Sequence, residues 1–318
     1  MKSLPLGIDI GASRLRIAVV EMRAGNPAVC AVATRDLSEG SSSSGEIPDP
    51  DYVATLLEDA VQELGVRERR CVCSLGEPDA VLRAMIMPRM SPVERAGAIR
   101  LEADRFIDYS IDEAIVRTHP VSDASSLFAL GIVRKRVLSS RLKPLKKAGL
   151  KVCGVDHEAY ALSRILPGYE AVVDIGTERT SIHLYTSPIP ITLHYFSGGA
   201  EISRSIARDL SIDLVAAERR KRILGTSGAG EAAQRALAAE IAALIGTDRN
   251  RRGAAEKIAI VGNSVRLPGL RLNLELATNR AVEIGIGEAF HSGAYPVDVL
   301  ASAAPDWNLA VGLATWGR

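Results

Sequence analysis

The stretch Gly7-Ile8-Asp9-Ile10-Gly11 and the stretch Val172-Val173-Asp174-Ile175-Gly176 carry the same pattern, about half a chain apart. In each, a short apolar run predicts a buried strand, an aspartate lies at the carboxyl end of that strand, and a glycine follows two residues later. A second apolar run comes soon after each glycine, which predicts a strand that turns back as a hairpin. An internal repeat of this kind predicts an α/β chain built from two related halves.

The composition is that of an ordinary globular protein and argues against several classes of function. Of the 318 residues, 47% are hydrophobic and 24% are charged, and 39 basic residues against 38 acidic ones leave a net charge of +1. So balanced a charge gives no electrostatic basis for nucleic-acid binding, and aromatic residues, at 4%, are few for stacking on bases. No apolar run approaches the roughly 18 residues of a membrane span. Asp9 interrupts the segment in which the apolar part of a secretion signal would lie.

The repeated aspartate and glycine suit the binding of a nucleotide. A glycine lets the backbone approach a phosphate closely, and the carboxylate of the aspartate can hold Mg²⁺ through water. Two such hairpins that face each other would hold the phosphates from both sides, and a third glycine loop, Gly262-Asn263-Ser264, follows a late strand. The alternative interpretation is a pair of ordinary glycine hairpins whose aspartates cap the turns.

These motifs resemble those of the superfamily that contains actin, the sugar kinases and the chaperone ATPases, whose fold is duplicated and ribonuclease H-like. The two hairpins are similar to its two phosphate loops, and the loop at Gly262 is similar to its adenosine loop. The helix that carries Glu218 and Lys221 is similar to the ribose-contacting helix of the bacterial members. The resemblance implies an actin-like α/β fold, with a first domain over residues 1–170 and a second over residues 171–318.

Further segments resemble the PilM family of type IV pilus assembly proteins, which is related to the cell-division protein FtsA. They occur in the order of that family and span nearly the whole chain. They are Gly45-Glu46-Ile47-x-Asp49, Met87-Pro88-Arg89-Met90-Ser91, Glu102-Ala103-Asp104-Arg105-Phe106-Ile107, Lys147-Ala148-Gly149-Leu150, Asp156-x-Glu158-Ala159-x-Ala161-Leu162 and Gly312-Leu313-Ala314. A βαββα pattern at about residues 76–150 is similar to the small α/β subdomain that this family inserts into its first domain.

The resemblance implies ATP and Mg²⁺ as cofactors. Asp9 and Asp174 would hold the metal through water, and Glu158 would be the catalytic residue that polarises a water molecule, with a static salt bridge as its alternative role. The residues implied in cofactor binding are Asp9, Gly11, Ser13, Arg16, Asp174, Gly176, Thr177, Gly199, Glu218, Lys221, Gly262, Asn263 and Ser264. For Glu218 and Lys221 a solvated helix face is the alternative, because they lie in a run of charged residues.

Two departures from the family pattern affect these expectations. The adenosine loop of the relatives usually has a pair of glycines, whereas this chain has Asn263, which adds a side chain where close approach is needed. The segment between Lys221 and Ile258 has room for one good helix, Glu231 to Ile245, where relatives have two longer helices that form a lid over the base. A reduced nucleotide lid predicts weakened binding and, at most, a weak ATPase.

The resemblance implies a cytoplasmic scaffold that lies on the inner membrane through a partner. The scaffold would bind the short cytoplasmic N-terminal tail of a PilN-like bitopic protein, beside the PilO and PilP subunits and the motor ATPase, and self-association is a further expectation. An FtsA-like division protein and an actin-fold small-molecule kinase are the alternatives. The first would need an amphipathic anchor helix after Leu313, and the second would need a substrate domain for which the chain after Asp174 is short.

A groove for the partner's tail is expected between the small subdomain and the first domain, along the segments Ser91 to Phe106 and Asp108 to Val116. The acidic residues that would receive a basic tail and the apolar residues that would contact it are Glu102, Asp104, Asp108, Asp112, Glu113, Leu101, Phe106, Ile107 and Ile111. The alternative is that the apolar side chains form the core of the small subdomain. Basic residues that follow, Arg141 among them, indicate either a solvated helix face or contact with anionic headgroups or an acidic partner.

Overall fold

The computed structural model describes residues 4–42, 45–88, 90–122, 126–247, 256–291 and 297–317. The strands are β1 (Leu6–Ile10), β2 (Arg14–Arg23), β3 (Asn26–Asp36), β4 (Arg70–Leu75), β5 (Ala80–Ile86), β6 (Ala114–Pro120), β7 (Leu127–Arg134), β8 (Lys151–His157), β9 (Ala171–Ile175), β10 (Thr180–Leu184), β11 (Ile191–Tyr195), β12 (Lys257–Val261) and β13 (Ala281–Ile284). The helices are α1 (Pro50–Glu63), α2 (Pro92–Asp104), α3 (Lys135–Lys147), α4 (Glu158–Ile165), α5 (Gly199–Leu210), α6 (Leu214–Leu224), α7 (Glu231–Thr247), α8 (Leu270–Thr278), α9 (Glu288–His291) and α10 (Val297–Ala314). Within these ranges, no helix combines the length and the apolar character that crossing a membrane requires.

Two five-stranded sheets share one topology. The strand order is β3-β2-β1-β4-β8 in the first sheet and β11-β10-β9-β12-β13 in the second. In each half, the first strand pairs antiparallel with the strand that follows it and parallel with a later strand: β1 with β2 and β4, and β9 with β10 and β12. The duplication predicted from the repeated motif is therefore confirmed. Asp9 and Asp174 occupy the same position, one residue before the end of β1 and of β9.

Helices α1 and α2 begin at the capping residues that the sequence predicts. The Asp49 side chain accepts hydrogen bonds from the first amides of α1, whose first residue is Pro50. Ser91 and Glu94 form a reciprocal capping box at the start of α2. Both helices are therefore defined by local sequence as well as by packing.

Helices α4 and α10 pack between the two sheets and join the halves in one hydrophobic core. Val20 of the first sheet and Val172 of the second belong to the same buried cluster, together with Leu162 and Ile165 of α4 and Val311 of α10. Each sheet also has its own core on the opposite face. Since the central helices contact both halves, the cleft described below has a well-packed floor.

The last helix is longer than the sequence predicts. The pattern predicts a helix from Asn308 to Thr315, whereas α10 spans Val297–Ala314. Pro305 lies inside it and lacks the N–H that a helix interior needs, so the local signal indicates a break. In the structure the Pro305 carbonyl accepts the amide of Gly262 at 3.1 Å, and Asp306 pairs with Arg266. Contacts with the second half therefore hold this part of the helix in place.

A smaller three-stranded sheet, in the order β5-β7-β6, has its own core. Met85, Leu130 and Ile132 are buried there beneath α2. Helix α3 starts at the residue after β7 and packs on the first large sheet, where Leu145 is fully buried. Helix α3 is therefore a direct connection between the small sheet and the first large sheet.

Candidate functional site

A cleft of about 650 Å³ lies where the carboxyl ends of β1 and β9 meet. The sequence-predicted residues that line it are Asp9, Gly11, Ser13, Arg16, Glu158, Asp174, Gly176, Thr177, Gly262 and Asn263. They come from both halves and from the loop after β12, because the shared topology brings the two hairpins together. The structure therefore collects the expected phosphate-loop and carboxylate positions around one cavity.

The two hairpins close in the same way. The Gly11 amide donates to the Arg14 carbonyl at 2.9 Å, and the Gly176 amide donates to the Arg179 carbonyl at 3.0 Å. These glycine amides are occupied, so they are not free donors for a phosphate. No acceptor is found in the described ranges for the amides of residues 12, 13, 177 and 178, and all four residues line the cleft. Unpaired backbone amides of this kind can bind an anion.

Three carboxylates share the floor of the cleft. Burial, together with the nearby Glu158 and Asp9 carboxylates, raises the pKa of Asp174 to about 7, although Arg16 and Arg179 act in the opposite direction. Burial also raises the pKa of Glu158, and the guanidinium of Arg179, 3.7 Å away, opposes this shift. A positive ion among these oxygens would relieve their repulsion.

The donor set suits a hard divalent cation, since such ions prefer oxygen ligands. Across the ranges that the structure describes, no group of three or more His, Cys, Asp or Glu side chains is arranged to hold a metal by itself. A cation beside Asp9 and Asp174 would therefore complete its coordination with water and with oxygens of a bound ligand. This arrangement fits the water-mediated role expected for the two aspartates.

The adenosine-loop position has a backbone conformation that favours glycine, followed by a hydrogen-bonded asparagine. Gly262 has a φ of +94°, and a Cβ there would lie 2.4 Å from Oδ1 of Asp174. Only glycine fits such a position without displacing the carboxylate. The Asn263 side chain accepts a hydrogen bond from Arg16 at 2.7 Å, and Arg16 also pairs with Asp9 at 3.2 Å. Arg16 therefore links the first half to the loop of the second across the cleft.

The remaining predicted positions lie beside the cleft and connect elements of the second half. The Lys221 ammonium donates to the Gly199 carbonyl at 2.8 Å and to the Ser203 hydroxyl at 2.8 Å, and it pairs with Glu218 at 2.6 Å. Lys221 is buried, so the solvated alternative does not apply to it. Ser264 donates to the Gly176 carbonyl at 3.3 Å and supports the second hairpin from behind. Contact of these residues with a nucleotide stays a prediction.

Comparison with known proteins identifies the family. A sequence model described as "Type IV pilus assembly protein PilM" matches residues 7–316.

The chain belongs to the PilM family.

A solved structure titled "PilM-PilN type IV pilus biogenesis complex" is 25% identical in sequence and has a TM-score of 0.85, over 98% of this chain and 97% of that one. The ethanolamine utilization protein EutJ from Carboxydothermus hydrogenoformans is 16% identical, with a TM-score of 0.63 over 100% of this chain and 90% of that one. This second likeness concerns the fold alone. The predicted actin-like α/β fold and the resemblance to the PilM family are therefore confirmed.

Sequence analysis misjudged Arg141, which lines the cleft. It placed Arg141 in a basic run interpreted as an exposed helix face, and this is wrong for Arg141, which is buried and lines the cleft. Its guanidinium donates to the Ile10 carbonyl at 2.7 Å. The signal was present in the helical period of α3, since Val137, Arg141 and Leu145 fall at intervals of four residues on one face.

Other basic residues of the same region are paired at the surface. Arg134 pairs with Glu113 at 2.5 Å, Arg136 pairs with Glu46 at 3.2 Å, and Lys147 pairs with Asp51. These pairs offset much of the positive charge, which weakens the hypothesis of contact with anionic headgroups.

The expected groove of this PilM family member contains both exposed and core residues. Leu101 on α2 is 73% exposed, whereas Phe106, Ile107 and Ile111 pack partly against the core of the small sheet. Three of the acidic residues already have arginine partners: Glu102 with Arg105, Asp112 with Arg100, and Glu113 with Arg134. Phe106, Ile107 and Ile111 therefore belong in part to the core of the small sheet, as the alternative interpretation predicts.

Proposed function

We propose that this PilM family member is an actin-like scaffold of type IV pilus assembly that binds the cytoplasmic tail of a PilN-like bitopic protein. The observation that carries the proposal is the family match over residues 7–316. The similar structure titled as a PilM-PilN complex supports the choice of partner. In this proposal the scaffold lies on the inner membrane through that partner, beside the PilO and PilP subunits and the motor ATPase.

The second part of the proposal is that Mg-ATP binds in the cleft. Its support is the pair of hairpins, whose free amides surround a cavity of about 650 Å³ that also contains Asp9 and Asp174. The amides would bind phosphate oxygens, and Mg²⁺ would neutralise charge between those oxygens and the two carboxylates. Arg16 would exchange part of its contact with Asp9 for a phosphate oxygen.

Hydrolysis in this proposal is slow. Glu158 would be the carboxylate that orients a water molecule. Burial raises its pKa and so lowers the fraction that is ionised and able to accept a proton, although the guanidinium of Arg179 favours the ionised form. Phosphoryl transfer depends mainly on positioning and on charge stabilisation. The nucleotide would therefore act chiefly as a bound ligand that determines the conformation of the cleft, and hydrolysis would contribute little.

The tail of the partner would bind between the small sheet and the first large sheet. Support comes from the exposed Leu101 and from Asp104 and Asp108, which are exposed and for which no ion pair is found within the described part of the chain. A basic tail beside them would gain charge complementarity, and an interface of this modest size is consistent with micromolar affinity.

A pull-down tests the choice of partner. The full chain is incubated with an immobilised peptide from the N-terminal tail of the bitopic protein encoded beside it, and with a scrambled peptide of the same composition. Retention by the native peptide alone is expected. Equal retention by both peptides, or by neither, would refute the proposed partner while leaving the nucleotide site to be tested separately.

A further inference from the structure

The cleft contains one arginine without a carboxylate partner. Arg14, Arg16 and Arg179 also line it, and each lies within ion-pair distance of an acidic residue: Asp36 at 2.8 Å, Asp9 at 3.2 Å and Glu158 at 3.7 Å respectively. For Arg141 no such pair is found among the residues that the structure describes. Arg141 is therefore the cleft arginine whose charge is not offset by a carboxylate within ion-pair distance in the described ranges.

Arg141 is nearly enclosed by the protein. Only 9% of the residue is exposed, and its Nε is buried without a hydrogen-bond partner in the described ranges. One Nη donates to the carbonyl of Ile10, the residue before Gly11 of the first hairpin. Burying a charge that is only partly hydrogen-bonded costs free energy, so such a group in a folded protein calls for a ligand that completes its bonds.

The position of Arg141 indicates which part of a ligand it would contact. Arg141 lines the cleft together with Glu158 and Asp79, and its charge opposes the burial that raises the pKa of both carboxyls, so it lies near the proposed catalytic carboxylate. Arg16 binds Asn263 of the proposed adenosine loop. A nucleotide whose base lies near Asn263 and whose phosphates lie over the first hairpin would bring its phosphate chain to Ile10, whose carbonyl Arg141 binds.

We propose that Arg141 binds the terminal phosphate of a nucleoside triphosphate and thereby distinguishes it from the diphosphate. This inference rests on the nucleotide site of the proposed function. The planar guanidinium suits phosphate because it can donate two parallel hydrogen bonds, and its own charge is stabilised by the anion. A diphosphate that binds the same loops leaves Arg141 as it is in the empty cleft.

Helix α3 gives this contact a structural consequence. Ser140, the neighbour of Arg141, accepts a hydrogen bond from the Ile47 amide at 2.8 Å. The same helix follows β7 of the small sheet without an intervening residue. A triphosphate bound to Arg141 would therefore fix α3 and, through it, the orientation of the small sheet.

The test compares affinities for Mg-ATP and Mg-ADP in the wild type and in Arg141→Met and Arg141→Lys, by isothermal titration calorimetry with a non-hydrolysable triphosphate as a check. Lys143→Met is the matched control, because Lys143 is exposed on the same helix. Charge-assisted hydrogen bonds of this kind predict a loss of ATP affinity of about 10- to 100-fold in Arg141→Met. We expect the affinity of Arg141→Met for ADP to change by less than about twofold. The ATP affinity of Arg141→Lys should lie between that of the wild type and that of Arg141→Met.

Thermal stability and hydrogen exchange give two further readouts beside the calorimetric affinities. Thermal unfolding of the ligand-free Arg141→Met protein should be unchanged or shifted upward, because a partly satisfied buried charge is removed. Hydrogen exchange should show ATP-dependent protection of residues 135–147 in the wild type and in Lys143→Met but not in Arg141→Met. If Arg141→Met does not fold, the ratio of ATP affinity to ADP affinity in Arg141→Lys tests the proposal instead.

The outcomes separate the two proposals. An unchanged ratio of ATP to ADP affinity in folded Arg141 variants would overturn the role of Arg141 and leave the nucleotide site in place. A wild type that binds neither nucleotide would overturn the nucleotide site itself, and the role of Arg141 with it.

Discussion

The hydroxyl oxygens of Ser13 and Thr177 lie 2.7 Å apart, so one hydrogen bond joins the two hairpins across 164 residues of sequence. The two residues are not at equivalent positions of the repeat, since Ser13 is the fourth residue after Asp9 and Thr177 is the third after Asp174. Both residues line the cleft, so the contact holds the two hairpins together at its wall. A phosphate chain placed over it would therefore meet donors from both halves at once.

The first prediction concerns the two repeated aspartates. Asp9→Asn and Asp174→Asn should each lower Mg-ATP affinity by about tenfold or more, because each removes one negative charge that a bound cation needs. Calorimetric titration in the presence of Mg²⁺ measures the effect, and titration in EDTA is the control. Unchanged affinity in both folded variants would contradict a metal-assisted site.

The second prediction is a dependence of stability on pH. The pKa of Asp174 is raised from 3.8 to about 7, so the folded chain binds this proton more tightly than the unfolded chain does. The ligand-free protein should therefore lose stability from this residue as the pH rises from about 4 to about 7. Mg-nucleotide affinity should rise over the same range, since the cation binds the ionised form.

Thermal unfolding of the wild type and Asp174→Asn at pH 5 and pH 8 checks the sign. The variant should gain stability relative to the wild type mainly at pH 8. Parallel pH profiles for the two proteins would show that Asp174 does not titrate as its surroundings imply.

The third prediction concerns turnover. Steady-state ATP hydrolysis should be slow, and Glu158→Gln should lower whatever rate is measured while leaving ATP affinity nearly unchanged. Gly76→Ala should have a similar effect, because a Cβ at Gly76 would lie 2.0 Å from Oε2 of Glu158 and displace it. A fast rate that Glu158→Gln does not change would remove Glu158 from the mechanism.

The fourth prediction tests the polar cluster between α5 and α6. Lys221→Met should lower the free energy of unfolding by about 1–3 kcal/mol, because the Gly199 carbonyl and the Ser203 hydroxyl, both buried, each lose the hydrogen bond from the ammonium. Arg222→Met is the matched control, since Arg222 is an exposed partner of the same Glu218 and should cost less than about 1 kcal/mol. Equal losses in chemical denaturation would contradict the structural role of Lys221.

The fifth prediction concerns the groove for the partner's tail. Reversing the charge of Asp108 and Asp112 together should weaken binding of a basic tail peptide several-fold without lowering stability, because both residues are exposed and surface charges contribute little to folding. The same reversal at Glu58 and Asp59, exposed on α1, is the control. Full affinity for the peptide in the Asp108 and Asp112 variant would contradict the assignment of the groove to this surface.

Elements with strong local signals were predictable from the sequence, and residues that depend on the folded arrangement were not. The strands ending at Asp9 and Asp174 follow from apolar runs and from a repeat, which are properties of adjacent residues. Arg141 and the first half of α10 were misjudged, because burial of a charge and tolerance of Pro305 inside a helix depend on contacts made by distant segments. The sequence also does not show that the Gly11 amide closes its own hairpin.

The most direct test of the whole account is one titration. Fluorescence anisotropy of the labelled partner-tail peptide is measured against the full chain without nucleotide, with Mg-ATP, and with Mg-ATP after both Asp9→Asn and Asp174→Asn have been introduced. The account predicts micromolar binding whose affinity changes on addition of Mg-ATP in the wild type and does not change in the double variant. Binding that is identical under all three conditions would contradict a nucleotide-dependent scaffold, and no binding under any of them would contradict the scaffold itself.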